Sequence, residues 1–489
     1  MIKTQQPNTF GKLKESGYQS RSIKDELRDN LITSLKKGEE IFPGILGFDD
    51  TVLPDMERAI LSRHNILLLG LRGQAKTRIA RQLTGLLDEF IPIVAGCALN
   101  DDPLNPLSRE AKDILEEHGD DTPIEWMHRD QRYVEKLATP DVSVADLIGD
   151  VDPIKAATLK LPYSDERVIH FGLIPRAHRS IFVINELPDL QARIQVSLFN
   201  ILQEGDIQIR GFKMRLPLDI VFVFTANPED YTNRGSIITP LKDRIESQIL
   251  THYPDTLDIA KAITSQEANI SELQKEKITV PEVMRDLLEM IAINARDSEF
   301  VDDRSGVSAR LSITALENLY SSAERRILLN GEESTTVRIA DFWGVIPAIT
   351  GKIELVYEGE QEGHYSVAMK LLGQAISTKF LEKFPHPGKT GNESDTDPYG
   401  ILRAFFSDSN VVELENDATD SDFRATLDAV PGLAKLVKAY DVEDEDCYAF
   451  KELVLHALAE LEVVGKDLLQ QRISFSDPLA DILGDLDLE

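Results

Sequence analysis

A lysine and a threonine close a glycine-rich turn near the start of the chain, and together they set the chemistry to be expected. Residues 66–77 read ILLLGLRGQAKT, an apolar run that breaks into Gly70, Leu71, Arg72, Gly73, Gln74, Ala75, Lys76 and Thr77. In that frame consecutive backbone N–H groups can curl around phosphate oxygens. The lysine ammonium reaches the outer phosphates and the threonine hydroxyl is placed to ligate Mg²⁺. Ala75 stands where the pattern has its second glycine, and a methyl group is the smallest intrusion a side chain can make. ATP and Mg²⁺ are the expected ligands.

Holding phosphates is not hydrolysing them. Hydrolysis needs a carboxylate to activate water and a group beside the metal, both at the end of a neighbouring strand. The stretch IFVINE, residues 181–186, ends in such a pair. Glu186 is the expected general base. Asn185 occupies the place of a metal-associated carboxylate; as a neutral amide it binds Mg²⁺ more weakly, yet it can orient a metal-bound water. Asn227, in FTANPED after another apolar run, can orient the attacking water and contact the outer phosphate. Arg244, in PLKDRIE, can stabilise charge that develops in the transition state. Arg310, in SARLSITALENL, can touch the phosphates from the start of a helix in a second domain.

These residues need elements to position them. Ile66 to Leu69 reads as a buried strand, and Ile79, Ala80, Leu83, Leu86 and Leu87 follow at helical spacing, which puts the phosphates on a helix N-terminus. Further strands are expected at Ile91–Ala95, Ile181–Ile184, Ile220–Thr225 and Ser247–His252. Helices are expected at Ser22–Lys37, through Met56 and Ile60, and at Leu190–Leu202. Residues 100–160 read as irregular. Buried strands alternating with helices, each ending in a polar residue, predict a parallel α/β sheet with its site at the strands' carboxyl ends. After Pro254 the pattern turns helical: Leu257–Ser265, Pro281–Ala295, Ser308–Leu328, Ala340–Tyr357 and His364–Phe384. A Pro- and Gly-rich stretch, Pro385–Tyr399, reads as a linker, and acidic helices at Phe423–Tyr440 and Cys447–Leu469 follow. The expected domains are a polar N-terminal segment (1–40), an α/β nucleotide-binding core (41–254), a helical lid (255–384) and an acidic helical region (385–489).

Composition narrows the classes. The chain has 489 residues, 42% of them hydrophobic, and a net charge of −31. Such an excess of negative charge disfavours a nucleic-acid partner, whose phosphates need a basic surface. Residues 401–489 hold 21 Asp and Glu against 7 Lys and Arg, a net of −14 and almost half of the total. This region reads as a solvated face or as a docking surface for a basic or metal-binding partner. No apolar run approaches the length that spans a bilayer, so no membrane insertion is expected. Cys97 and Cys447 are too few for a disulfide framework, and a reducing, cytoplasmic setting follows.

The order of these motifs resembles the AAA+ ATPases, and within them the magnesium-chelatase I-subunit and MoxR branch. The resemblance runs from about Pro43 to Leu328. It rests on GILGFDD, the phosphate loop, LIGDVDP, FGLIPRAHRSIFVINE, LPLDIVFVFTANPEDYTNRG, ITPLKDR and SARLSITALENL. It implies a P-loop AAA+ parallel-sheet core followed by an all-helical lid. It also implies Glu186 as the Walker B glutamate, Asn227 as sensor 1, Arg244 as an arginine finger acting on a neighbouring subunit, and Arg310 as sensor 2. Loops with alanine before the lysine are familiar in the MoxR branch. An insert within residues 96–171, with a hairpin at Ile154–His170, and a hairpin at Asp206–Leu216 before sensor 1 are further marks. Arg179 reads equally as a subunit-boundary residue or a buried-edge arginine. An arginine finger in trans implies a homo-oligomeric ring, most often a hexamer. Members commonly act with a partner carrying a von Willebrand factor A domain.

Three functions fit: an ATP-driven remodelling motor for a partner complex, the motor subunit of a true magnesium chelatase, and a nucleotide-dependent scaffold with little turnover. Asn185 is the sequence support for the third. An enhancer-binding activator would carry a GAFTGA loop, which the sequence lacks.

Overall fold

The computed structural model describes residues 6–163, 165–204, 207–209, 212–214, 216–228, 236–302, 304–388, 397–469 and 472–478. They form two compact units, 1–252 and 253–489.

The first unit is built on five parallel strands: β1 (Ile66–Leu69), β2 (Tyr133–Leu137), β3 (Ser180–Asn185), β4 (Ile220–Ala226) and β5 (Ser247–Leu250). Their order across the sheet is β5-β1-β4-β3-β2. The three central strands, β1, β3 and β4, are buried along their whole length, which explains why they read as unbroken apolar runs. Successive side chains alternate between faces. Ile66, Leu68, Ile181, Val183, Val221 and Val223 enter a core closed by the helices Ile23–Lys37, Val52–Leu61 and Lys76–Gln82. Leu67, Leu69, Phe182, Ile184, Phe222 and Phe224 enter the other core, against Ile194, Leu198 and Ile201 of the helix Ala192–Glu204. Each fully buried aliphatic or aromatic side chain contributes about 1.5–3 kcal/mol. Ser22 starts the first of these helices by accepting from the Asp25 N–H at 3.1 Å, and Gly38, at φ 67°, ends it.

The sequence expectation misplaces one strand. Phe90–Val94 does form, but it pairs antiparallel with Ile124–His128 outside the parallel sheet. The fifth sheet member is β2, inside the stretch expected to be irregular. Its sequence, YVEKL, is only half-buried because it lies at the sheet edge, so it shows no apolar run. The insert also differs in detail: the paired strands are Gly149–Val151 and Ile169–Phe171, and they enclose the helix Pro153–Leu159. The short strands Ile207–Ile209 and Phe212–Met214 pair antiparallel at the expected hairpin, whose tip lies outside the described residues.

The second unit has one continuous apolar core, running from Ile278 to Phe475. Helices Leu257–Glu267, Glu282–Arg296, Arg310–Asn330 and His364–Lys383 match expectation. The expected helix 340–357 is instead a 3₁₀ turn, Ile339–Gly344, followed by short helices Ile346–Thr350 and Tyr357–Glu362; Pro347 starts one and Gly351 stops it. Pro431 and Gly432 (φ 83°) likewise split the acidic stretch into Asp420–Asp428 and Leu433–Ala439. The helix Cys447–Glu460 ends before a three-stranded antiparallel sheet made of Val412–Glu415, Gly465–Leu469 and Arg472–Ser476. Most of the expected linker, 389–396, lies outside the described residues.

Candidate active site

The strand β1 delivers the chain to Gly70, where there is no room for a side chain: a Cβ there would collide with the Thr251 hydroxyl and the Gln74 side chain. The loop then turns through two left-handed residues, Gly73 at φ 76° and Ala75 at φ 54°. Ala75 is the N-cap of the helix Lys76–Gln82. A left-handed residue next to right-handed ones turns successive N–H groups inward and forms an anion-binding concavity. The glycine pattern therefore has a conformational basis at position 75, and the alanine adopts the same backbone at a cost. Gln74 is buried, and its Oε1 accepts from the Thr251 hydroxyl at 2.7 Å. Its side chain ties the loop to the residue after β5.

Lys76 is also buried. Its Nζ donates to the Leu71 carbonyl at 2.9 Å, to the Gly70 carbonyl, and to Asn227 Oδ1 at 2.8 Å. Asn227 in turn donates from Nδ2 to Glu186 Oε2 at 3.2 Å. The ammonium, the amide and the carboxylate thus form one chain of hydrogen bonds across the ends of β1, β4 and β3. Glu186 has φ 54° and ψ 51°, left-handed values unusual for a non-glycine residue. Its backbone N–H donates to the Thr225 hydroxyl at 3.2 Å. Strained backbone of this kind persists where the surroundings over-determine it, as at the mouth of a parallel sheet.

Asn185 is buried at the last position of β3. Its Oδ1 accepts from the Thr77 hydroxyl at 3.5 Å and from the Thr225 hydroxyl at 3.1 Å. Its Nδ2 donates to Glu135 Oε1 at 2.6 Å. Among the described residues no group of three or more His, Cys, Asp or Glu side chains is arranged to hold a metal. Mg²⁺ does not require one. It keeps several waters and takes few protein oxygens when phosphates supply the rest. The Thr77 hydroxyl and the Asn185 amide oxygen, side by side, fit that limited donor set.

No family model matches the sequence. Two curated proteins do. The magnesium-chelatase 38 kDa subunit of Cereibacter sphaeroides is 27% identical over 212 residues, 42% of this chain and 56% of that protein. The magnesium-chelatase subunit ChlI homolog of Methanocaldococcus jannaschii is 26% identical over 246 residues, 48% of this chain and 64% of that protein. The chain is thus similar to magnesium-chelatase I subunits, which supports an AAA+ ATPase of that type. It spans less than two thirds of the length of either relative. Among solved structures, a putative ATPase from Cytophaga hutchinsonii aligns over 74% of this chain and 97% of its own at 16% identity and TM-score 0.28. The BchI–BchD complex of magnesium chelatase aligns over 66% of this chain and 98% of that chain at 20% identity and TM-score 0.33.

The expected site residues separate into two groups. The structure brings together Gly70, Gly73, Gln74, Ala75, Lys76, Thr77, Asn185, Glu186 and Asn227. Arg72 lies in the same loop. Arg244 contacts other residues: it donates to Gln203 Oε1 at 3.1 Å and to Asp243 at 2.8 Å, and its guanidinium lies 4.5 Å from the Phe199 ring centre. Arg310 is exposed at the first turn of the helix Arg310–Asn330 in the second unit. Arg179 is buried and donates to the Pro92 carbonyl at 2.7 Å, which selects the buried-edge reading. Sequence reasoning missed Thr225, Thr251 and Glu135. The first two are single hydroxyls next to a strand end, and Glu135 lies in the edge strand that carried no apolar signal.

Proposed function

We propose that this AAA+ chain binds ATP with Mg²⁺ on the loop 70–77 and hydrolyses it, as the motor of a ring that remodels or activates a partner complex. The observation that carries the reading is the hydrogen-bonded chain Lys76–Asn227–Glu186 at the ends of three adjacent parallel strands. The Gly73 and Ala75 concavity receives the phosphates on backbone N–H groups. Lys76 exchanges its carbonyl partners for phosphate oxygens, and Thr77 and Asn185 would hold the ion and its water. Mg²⁺ at that place would supply charge neutralisation to the phosphates. Glu186, fixed by its strained backbone and by Asn227, accepts a proton from the attacking water. Arg244 is half-buried on this subunit, bonded to Gln203 and Asp243, and is assigned to the neighbour's site, where a guanidinium is worth about 10³-fold or more in rate. Arg310 is assigned a phosphate contact on the strength of its sequence motif.

The deciding measurement is phosphate release by wild-type chain and Glu186→Gln, with nucleotide binding followed in parallel. Wild-type turnover, and a Glu186→Gln protein that binds ATP without hydrolysing it, are expected. If neither protein turns ATP over, with Mg²⁺ and with candidate partners, the motor reading fails. The second reading, a nucleotide-dependent scaffold, then stands; Asn185 in place of a carboxylate is the observation that favours it.

Partners follow the same logic. ATP-locked Glu186→Gln protein should retain the client complex in a pull-down, and a von Willebrand factor A domain protein is the expected capture. The curated relatives are named for magnesium chelatase. Capture of a large porphyrin-binding subunit would instead assign this chain as the motor of a true chelatase.

A further inference from the structure

The amide at position 185 is held by a group that the nucleotide-site motifs do not include. Thr77 and Arg81 lie one turn apart on the helix Lys76–Gln82 and face the sheet on the same side. Across from them, Tyr133 and Glu135 of β2 alternate onto the face that Val183 and Asn185 share on β3. The four polar groups close a ring. Arg81 Nε donates to Glu135 Oε2 at 3.0 Å. Asn185 Nδ2 donates to Glu135 Oε1 at 2.6 Å. Asn185 Oδ1 faces the Thr77 hydroxyl, and Thr77 and Arg81 are joined by the helix. The Tyr133 hydroxyl adds a third proton to Glu135, at 3.2 Å.

An asparagine amide can be turned either way. A carboxylate only accepts, so Glu135 can face Nδ2 and not Oδ1. With Nδ2 committed to Glu135, Oδ1 is committed to the Thr77 side, where the metal and its waters belong. Glu135, paired on its other oxygen with the Arg81 guanidinium, also brings a carboxylate to within one hydrogen bond of a position where the carboxylate itself is missing. We infer that Glu135 is a positioning residue for Mg²⁺: it fixes the Asn185 amide oxygen toward the ion and supplies, from the adjacent strand, the charge that Asn185 lacks. This inference rests on the nucleotide-site reading proposed above. Partners that orient groups near a metal are typically worth about 10–100-fold in metal affinity.

The test is Mg²⁺ titration of a fluorescent, non-hydrolysable ATP analogue bound to the full chain, with thermal melting as a parallel readout. Glu135→Gln offers both a donor and an acceptor to Asn185 and removes the charge. It should raise the Mg²⁺ concentration for half-maximal response about tenfold. The exchanged pair Asn185→Asp with Glu135→Gln keeps the hydrogen bond and moves the carboxylate to the metal side, so it should return the midpoint to the parent value or below. If Glu135→Gln lowers the melting temperature but leaves the Mg²⁺ midpoint unchanged, Glu135 only ties β2 to the helix and the inference is wrong. If the single variant does not fold, the exchanged pair decides: a folded protein that still needs tenfold more Mg²⁺ also overturns the inference. A parent chain that binds the analogue neither with nor without Mg²⁺ would defeat the nucleotide-site reading itself, which separates the two failures.

Discussion

At the scale of single residues, two non-glycine side chains sit on left-handed backbone inside the site, Ala75 and Glu186. For an L-residue that conformation costs about 1–2 kcal/mol. Ala75→Gly should therefore raise the denaturant midpoint of the first unit by the equivalent of about 1 kcal/mol, with nucleotide binding retained. A loss of stability would mean that the methyl group makes favourable contacts that outweigh the strain. Sequence reading picked out the candidate phosphate loop because the demands of such a loop, inward N–H groups and a close backbone turn, leave a fixed pattern of glycines. It found Asn185, Glu186 and Asn227 because each follows a buried apolar run. Glu135 was illegible for the opposite reason. Its partnership with Asn185 depends on which strand neighbours β3 and on shared facing, and neither is written in the spacing of residues 135 and 185.

At the scale of elements, the helix Ile23–Lys37 is pinned to the sheet by an ion pair taken fully out of water. Arg132 donates to both oxygens of Glu26 at 2.7 and 2.6 Å, and both residues are buried. Removing one partner strands the other charge, so Glu26→Ala should cost about 3–5 kcal/mol in equilibrium unfolding. Replacing both, as Glu26→Leu with Arg132→Met, should recover most of that loss. In the second unit Glu452 is wholly buried and accepts from the Ile339 N–H at 2.7 Å and the Ala340 N–H at 3.3 Å. Burial outweighs these bonds and the nearby Arg338, and lifts its carboxyl from 4.5 to about 7. The folded state thus holds this proton more tightly than the unfolded chain does. The stability it contributes is full below pH 4.5 and is lost as pH rises through 7. Melting temperatures of Glu452→Gln and parent should nearly coincide at pH 5 and separate in favour of the variant by pH 8. Elements with a single apolar face were read well from sequence. The helix expected at 340–357 was not, because Pro347 and Gly351 break it while its apolar residues still enter the core.

At the scale of the whole molecule, none of the described helices is long and apolar enough to cross a membrane. The negative charge concentrated in residues 401–489 does not keep that segment out of the interior. Leu402, Phe406, Leu427, Leu453 and Phe475 share one core with the helices expected as a separate lid. Deleting residues 401–489 should therefore unmask that core. A chain ending at residue 400 is expected to bind a hydrophobic dye such as ANS, and a well-folded, dye-silent product would show that the acidic region is an independent appendage. The division into a sheet unit and a helical unit, each with its own apolar interior, has a calorimetric consequence. Heat absorption on unfolding should resolve into two cooperative steps, so each unit has its own melting temperature: that of the sheet unit reads Glu135→Gln and that of the helical unit reads Glu452→Gln. A ligand held by residues 66–77 displaces the step belonging to the sheet unit by RT ln(1 + [L]/Kd). A thermogram recorded with and without nucleotide therefore reports which half of the molecule has been loaded.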